Sequence, residues 1–166
     1  MGKFCYTRAF FYLCKTMRAV IQRVTSASVK IDNMVKSAIH HGLLILLATC
    51  EDDSEVDIEW LTNKIVNLRI MNDENGVMNK SILDTDGELL IISQFTLWAS
   101  YKKGNRPSYL RAGNPAVTKA LYDKFCNACT AKLGRPVGTG VFGAEMEVSL
   151  VNDGPVTICI DTKNKE

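Results

Sequence analysis

Two hydroxyls and an amide stand together in Ser93-Gln94-Phe95-Thr96. A Ser or Thr hydroxyl becomes a nucleophile only when a neighbouring base removes its proton. The sequence commits no His or Asp to that task and holds no Gly-x-Ser-x-Gly elbow. The plain alternative is a pair of strand hydroxyls that simply pack. Cys126-x-x-Cys129 has the spacing of a redox or zinc half-site. It has no second pair, and it falls inside a helical stretch rather than at the helix N-terminus that favours a thiolate. His40 and His41 are adjacent, so their side chains diverge and chelate poorly. No metal and no cofactor is expected. Gly138-Thr139-Gly140-Val141-Phe142-Gly143 matches Gly-x-Gly-x-x-Gly. A dinucleotide site needs a strand before it and a helix after it. Here a helix precedes and an alternating strand follows, so the glycines are read as tight turns or places of close backbone approach. Phe142 offers a flat face on which a base can stack.

Charge narrows the ligand class. The formal net charge is +2, but Lys3, Arg8 and Lys15 lie in residues 1–16, which contain no acid. The remainder has 17 basic and 18 acidic residues, so no global positive field holds a nucleic acid and any RNA contact is local. One stretch supplies it. Leu89 to Tyr122 contains no Asp or Glu and holds Lys102, Lys103, Arg106, Arg111 and Lys119. With Tyr101 and Tyr109 on the same loop, this composition suits a single-stranded RNA end, cations for phosphates and rings for bases. A merely solvated loop is the alternative.

These residues need a scaffold. A chain of 166 residues, 46% hydrophobic and 23% charged, suits one domain with a real core. Val- and Ile-rich segments predict strands over 18–24 and 27–31, with Asp32-Asn33 turning into a hairpin with 34–39. The apolar run 43–48 predicts a buried strand. The acidic cluster Glu51 to Glu59 is either a metal site or, better, a helix start capped by Asp53 or Ser54. The helix continues to about 68 with Val56, Leu61, Trp60, Ile65 and Leu68 on its apolar side. Residues 88–100 predict one long central strand. Pro115 opens a helix to about Leu133 with Val117, Leu121, Phe125 and Ala128 on one face. Met146, Val148 and Leu150 alternate on a strand that Asn152-Asp153-Gly154 turns back as a second one, leaving Pro155 at a hairpin tip. The sum is a single α/β domain over residues 17–166, with a curved, mostly antiparallel, barrel-like sheet and two main helices. Residues 1–16 read as an upstream extension from a start site or cloning, or less well as a targeting peptide, and are expected to be dispensable. The six cysteines read as reduced thiols of a cytoplasmic protein, and no apolar run reaches bilayer length.

Two segments taken together carry a resemblance. Ser93-Gln94-Phe95-Thr96-Leu97 and Asn152-Asp153-Gly154-Pro155-Val156-Thr157 resemble the two signature motifs of the D-aminoacyl-tRNA deacylase family. Residues 17–24, 102–107 and 139–144 resemble further family segments in the same order. The resemblance spans about residues 17–162, and residues 1–16 have no place in it. It implies a two-fold homodimer acting on the ester at the aminoacylated 3′ end of tRNA, with no other protein partner and no membrane. It implies a cis Gly154-Pro155 bond that enters the partner's pocket and excludes L side chains, so that glycine is also accepted. It implies chemistry assisted by the vicinal 2′-hydroxyl of the RNA, with Ser93, Gln94, Phe95 and Thr96 holding the aminoacyl group and the developing oxyanion. Phe142 would contact adenine, and Lys102, Lys103, Arg106 and Asn152 would bind substrate or tRNA. Thr96 as a covalent nucleophile is the second role considered. A non-catalytic RNA-end binder and a thiol-redox protein are the competing classes.

Overall fold

The computed structural model describes residues 16–165. The reading of residues 1–16 as an extension falls, apart from Thr16, outside the described residues. Strand β1 (Arg18–Ile31) is one continuous strand where the sequence predicts two. It turns through Asp32 and Asn33, both at positive φ (50° and 62°), into β2 (Met34–Ile39). That geometry gives a two-residue hairpin its strand-matching twist, and Asp and Asn tolerate it. β3 (Gly42–Ala48) pairs antiparallel with the first half of β1.

Helix α1 (Glu55–Val66) crosses to β6 (Glu88–Ser93), which runs parallel to β3, and β7 (Gly138–Thr139) continues the sheet in parallel. On the way, β4 (Met71–Asn72) and β5 (Met78–Lys80) form a small ribbon. Helix α2 (Pro115–Leu133) precedes β7, and β8 (Glu147–Asp161) lies along the whole other edge of β1. The pairs made by β1 are antiparallel, as the sequence implies, but the centre of the sheet adds parallel ones. β2 comes back beside β7, where the Ser37 hydroxyl donates to the Thr139 carbonyl at 2.7 Å, so the sheet nearly closes into a barrel.

The apolar runs of β3 and β6 are buried on both faces. Leu43, Ile45, Leu47, Leu89 and Ile91 pack under the two helices, while Leu44, Leu90 and Ile92 pack with Val24, Val29 and Ile39 on the other side. Continuous rather than alternating hydrophobicity follows from that double burial.

Both helices form where expected, and most of each predicted face is the buried one: Leu61, Ile65 and Phe125 are buried, and Trp60, Leu68, Leu121 and Ala128 pack against the core. In α1 the core side is Ile58, Leu61, Thr62, Ile65 and Val66, and Val56 is exposed half a turn away. In α2, Thr118, Tyr122, Phe125, Cys126 and Cys129 face the core, and Val117 in the first turn is exposed. The caps are local chemistry. Asn114 accepts from the Ala116 N–H at 2.9 Å ahead of Pro115, and Gly134 ends α2 at φ 72°. Ser54 caps α1, its N–H donating to Asp57 at 3.0 Å.

Asp53 is not the cap. Its Oδ2 accepts the Cys50 N–H at 2.7 Å, its Oδ1 is buried without a hydrogen bond, and burial pushes its carboxyl up to about 7. A folded-state value above the ordinary 3.8 means that the native protein holds a proton that the unfolded chain releases. This contribution to stability is present at low pH and is lost as pH rises from about 4 to about 7. Asp53→Asn is therefore expected to flatten the pH dependence of Tm across that window and to melt above wild type at pH 8. Parallel melting curves of the two proteins between pH 4 and 8 would contradict the assignment.

Candidate functional site

Where the sequence predicts a strand to residue 100, β6 stops at Ser93 and the chain tightens into a 3-10 turn over Phe95–Trp98. The cause is packing. Trp98 is fully buried beside Ala48 and Cys50, with its indole N–H donating to the Thr49 carbonyl at 3.3 Å. An extended chain would carry that ring away from the core. The turn swings Phe95 outward, 52% exposed, at the mouth of a cavity of about 480 Å³.

Three elements wall this cavity. Ser93, Gln94 and Phe95 form one side, Gly113, Pro115 and Thr118 at the start of α2 a second, and Phe142, Gly143, Met146 and Val148 the third. Tyr109 closes the rim, its ring edge-on to Phe95 at 5.4 Å. Sequence reasoning placed Ser93, Gln94, Phe95 and Phe142 in a site. It did not find Thr118, Met146 or Val148, because a helix start and an alternating strand carry no local sign of a ligand.

The site's polar groups suit positioning more than proton abstraction. The Gln94 side-chain amide donates to the Thr96 hydroxyl, and an amide is no base. The Gln94 N–H is spent on the Leu47 carbonyl at 2.7 Å. Phe95 and Thr96 open the 3-10 turn, so their N–H groups have no carbonyl within it to reach. Neither histidine belongs to the cavity wall. His40 and His41 lie at the bend before β3, where His41 Nε2 is 3.8 Å from Asp153. Among the described residues, no group of three or more His, Cys, Asp or Glu side chains has the arrangement of a metal site. Cys126 and Cys129 are buried in α2, and burial pushes their thiols up to about 11 and about 12. Such thiols stay protonated, which counts against redox chemistry there. Gly138–Gly143 links a short strand to β8 with no helix after it, which removes the dinucleotide reading.

The structure does not bring every candidate into the cavity. Lys102, Lys103 and Arg106 are exposed on a loop. Ser100 and Ser108 exchange backbone hydrogen bonds of 2.8 and 2.9 Å at its base, so the loop stands beside Tyr109 and the cavity mouth.

Gly154 and Pro155 are exposed and lie away from this chain's own cavity. They are not at a hairpin tip. β8 runs straight through, and residues 153–156 bulge out of its pairing with β1 between the Gln22–Thr157 and Val24–Asn152 partners. A local turn composition yields here to a ladder that continues on both sides. The Gly154-Pro155 bond is cis. Asn152 braces the bulge, accepting the Val156 N–H at 3.0 Å and donating to Thr157 at 3.2 Å. Beneath it sits the buried Arg23, with Nε 2.9 Å from Asp153 and Nη1 donating to the Ile70 carbonyl at 2.7 Å and to Asn72 at 3.0 Å. The sequence showed Arg23 only as one residue of a strand.

Comparison with known proteins agrees with this geometry. The family model described as D-Tyr-tRNA(Tyr) deacylase matches residues 20–161. A D-aminoacyl-tRNA deacylase of Bacteroides fragilis is 63% identical over 150 residues, which cover 90% of this chain and all of that protein. One from Porphyromonas gingivalis is 59% identical with the same coverage. A solved structure titled c-Myc DNA Unwinding Element Binding Protein is 39% identical, with a TM-score of 0.81 over 86% of this chain and 97% of that one. A probable eukaryotic D-amino acid tRNA deacylase, 18% identical, shares the fold with a TM-score of 0.77 over 88% of this chain and 99% of that one.

Proposed function

The chain belongs to the D-Tyr-tRNA(Tyr) deacylase family, hydrolases of the ester between a D-amino acid and tRNA, and from that premise we propose how its residues divide the work. The aminoacylated 3′ end of tRNA enters the 480 Å³ cavity. The observation that carries this reading is the convergence of Ser93, Gln94 and Phe95 with Phe142 on one cavity whose wall holds no histidine. Phe142 stacks with the terminal adenine. Ser93 and Gln94 hold the aminoacyl group, and the N–H groups of Phe95 and Thr96 face the oxygen that becomes negative as the ester carbonyl is attacked. An aminoacyl ester is already activated, so placing water against it supplies much of the rate. The neighbouring 2′-hydroxyl of the ribose assists the attack, the bond to the 3′ oxygen breaks, and free D-amino acid and tRNA leave. Thr96 acts through position, since its hydroxyl partner is an amide.

Chirality is read by Gly154 and Pro155 of a second copy of the chain. Both are exposed, and β8 is an outer strand that pairs only with β1 among the described residues. A long open edge of this kind is a ready surface for a second protomer, and the homodimer would carry each bulge to its partner's cavity. A wall that excludes L side chains accepts D ones, and it cannot reject glycine, so glycyl-tRNA-Ala is cleaved as well. The working site is the cytoplasm, with charged tRNA.

Incubation with D-Tyr-tRNA, L-Tyr-tRNA and Gly-tRNA in parallel, following loss of the ester, tests the whole reading. Rapid loss from the D and glycyl substrates alone is expected, and equal loss from the L substrate would overturn the gate. A tRNA ending in 2′-deoxyadenosine is expected to react far more slowly, and an unchanged rate would remove the 2′-hydroxyl from the mechanism.

The basic loop beside the cavity mouth binds the RNA backbone. Lys102→Ala with Lys103→Ala is expected to raise KM and to reduce the slope of log KM against log salt by about 1.4, two phosphate contacts on a single strand. An unchanged slope would return the loop to a solvated role.

A further inference from the structure

We propose that Tyr122 is a positioning residue for the adenine platform, its buried hydroxyl fixed to β6 and its ring set against Phe142. This rests on the reading of Phe142 given above. Tyr122 lies one helical turn beyond the cavity-lining Thr118 on α2. Its hydroxyl donates to the Ile91 carbonyl at 2.7 Å, two residues before Ser93. Its ring meets the Phe142 ring at a centroid distance of 6.1 Å and a tilt of 53°. One side chain therefore touches Phe142 with its ring and the strand bearing the aminoacyl-binding residues with its hydroxyl.

The fold explains why such a tie is needed. β7 pairs with β6 over only two residues, Gly138 and Thr139, and the backbone then leaves the sheet until β8 begins at Glu147. The Ser37 hydroxyl holds Thr139 from the other side. Beyond that point the Tyr122 ring is the next contact, at Phe142. Gly140, two residues earlier, lies close against Met146, which lines the cavity.

A residue acting in this way affects the binding of the RNA end and leaves the chemical step alone. Tyr122→Phe keeps the ring contact with Phe142 and removes the hydroxyl's hydrogen bond to the Ile91 carbonyl. With D-Tyr-tRNA it is expected to raise KM about tenfold with kcat within about twofold, and inhibition by free AMP should weaken by the same factor. A role in stability alone would lower Tm and leave the KM of the folded enzyme unchanged. Phe142→Leu and the double variant complete a cycle in which the double variant is expected to be no worse than Phe142→Leu.

If Phe142→Leu leaves KM at the wild-type value, the platform reading itself fails. If Phe142→Leu raises KM but Tyr122→Phe does not, or if the two effects multiply independently, the platform stands and the role of Tyr122 is overturned. A measurement on the wild type covers the case of a variant that does not fold. The Tyr122 hydroxyl proton is expected to exchange slowly with solvent, and exchange at the rate of an exposed phenol would overturn the tie.

Discussion

Gly154→Ala is expected to lower kcat/KM for D-Tyr-tRNA by about 100-fold and to narrow the rate ratio of D- over L-Tyr-tRNA, because one added carbon has nowhere to go. Gly154 has φ 128°, a conformation that L side chains rarely adopt. A Cβ built there would lie 2.7 Å from Val156 Cγ2, 2.9 Å from the Val156 nitrogen and 3.2 Å from an Arg23 Nη. Two of the three neighbours belong to the bulge itself and the third is a buried, anchored guanidinium, so the backbone of 153–156 must move. Residues that exclude a substrate by contact lose their function when displaced by about an ångström, and misplacement of that size costs on the order of 10²-fold in rate. Strain at one such position costs roughly 1–3 kcal/mol, and the bulge is exposed, so most of the domain's stability should remain. Steady-state rates with both substrates, beside a melting curve, separate the two effects. Ser93→Ala is the control. It removes a contact to the aminoacyl group and should slow both substrates without admitting the L form. An unchanged rate and ratio in Gly154→Ala would remove the bulge from chiral discrimination.

What the sequence disclosed was what is local or periodic. The 43–48 run, the Pro115 helix start and the Asp32-Asn33 turn each carry their cause within a few residues, and each forms where it was read. The errors share a different origin. Phe95-Thr96-Leu97-Trp98 is as apolar as the strand before it, and only the burial of Trp98 against Ala48 and Cys50, some fifty residues earlier, decides for a 3-10 turn. Asn152-Asp153-Gly154-Pro155 has the composition of a hairpin turn, yet its pairing partner is β1, about 130 residues away, and that ladder resumes on both sides. On α1 and α2 only Val56 and Val117 were misjudged, because they fit the helical period but overhang the packed region.

The site followed the same division. Ser93 to Thr96 and Phe142 were named from the sequence and a family resemblance; Ser93, Gln94, Phe95 and Phe142 line one cavity, and Thr96 lies outside its wall. Thr118, Met146 and Val148 became visible only when α2 and β8 were placed against β6. The bonds that Asn152 makes across its own loop, to the Val156 N–H and the Thr157 hydroxyl, were equally invisible in the sequence, since an amide in a motif does not show where it bonds.

Arg23→Leu is expected to destabilise the protein by about 3 kcal/mol and, in what remains folded, to erode the D over L ratio. The break in register between β1 and β8 falls at Arg23, opposite the 153–156 bulge. Its buried guanidinium fills that space, joining Asp153 of the bulge to the Ile70 carbonyl just before the β4–β5 ribbon and to Asn72 within it. Leucine preserves the apolar stem and removes all three polar contacts. Breaking a buried ion pair by deleting one partner costs roughly 3–5 kcal/mol, because the other charge is left without compensation. The lower end applies here, since the Asp153 side chain is 30% exposed and water can reach it. For a domain of this size, that loss corresponds to a fall in Tm of about 6–12 °C. Arg23→Lys should be intermediate, because an ammonium can keep Asp153 but has no planar fork to reach the other two acceptors together. The selectivity measurement decides what the arginine does for function. A variant that melts early yet discriminates D from L as well as wild type would make Arg23 a support of the barrel alone. Joint loss of stability and discrimination would show that the bulge is held in working position from inside the domain.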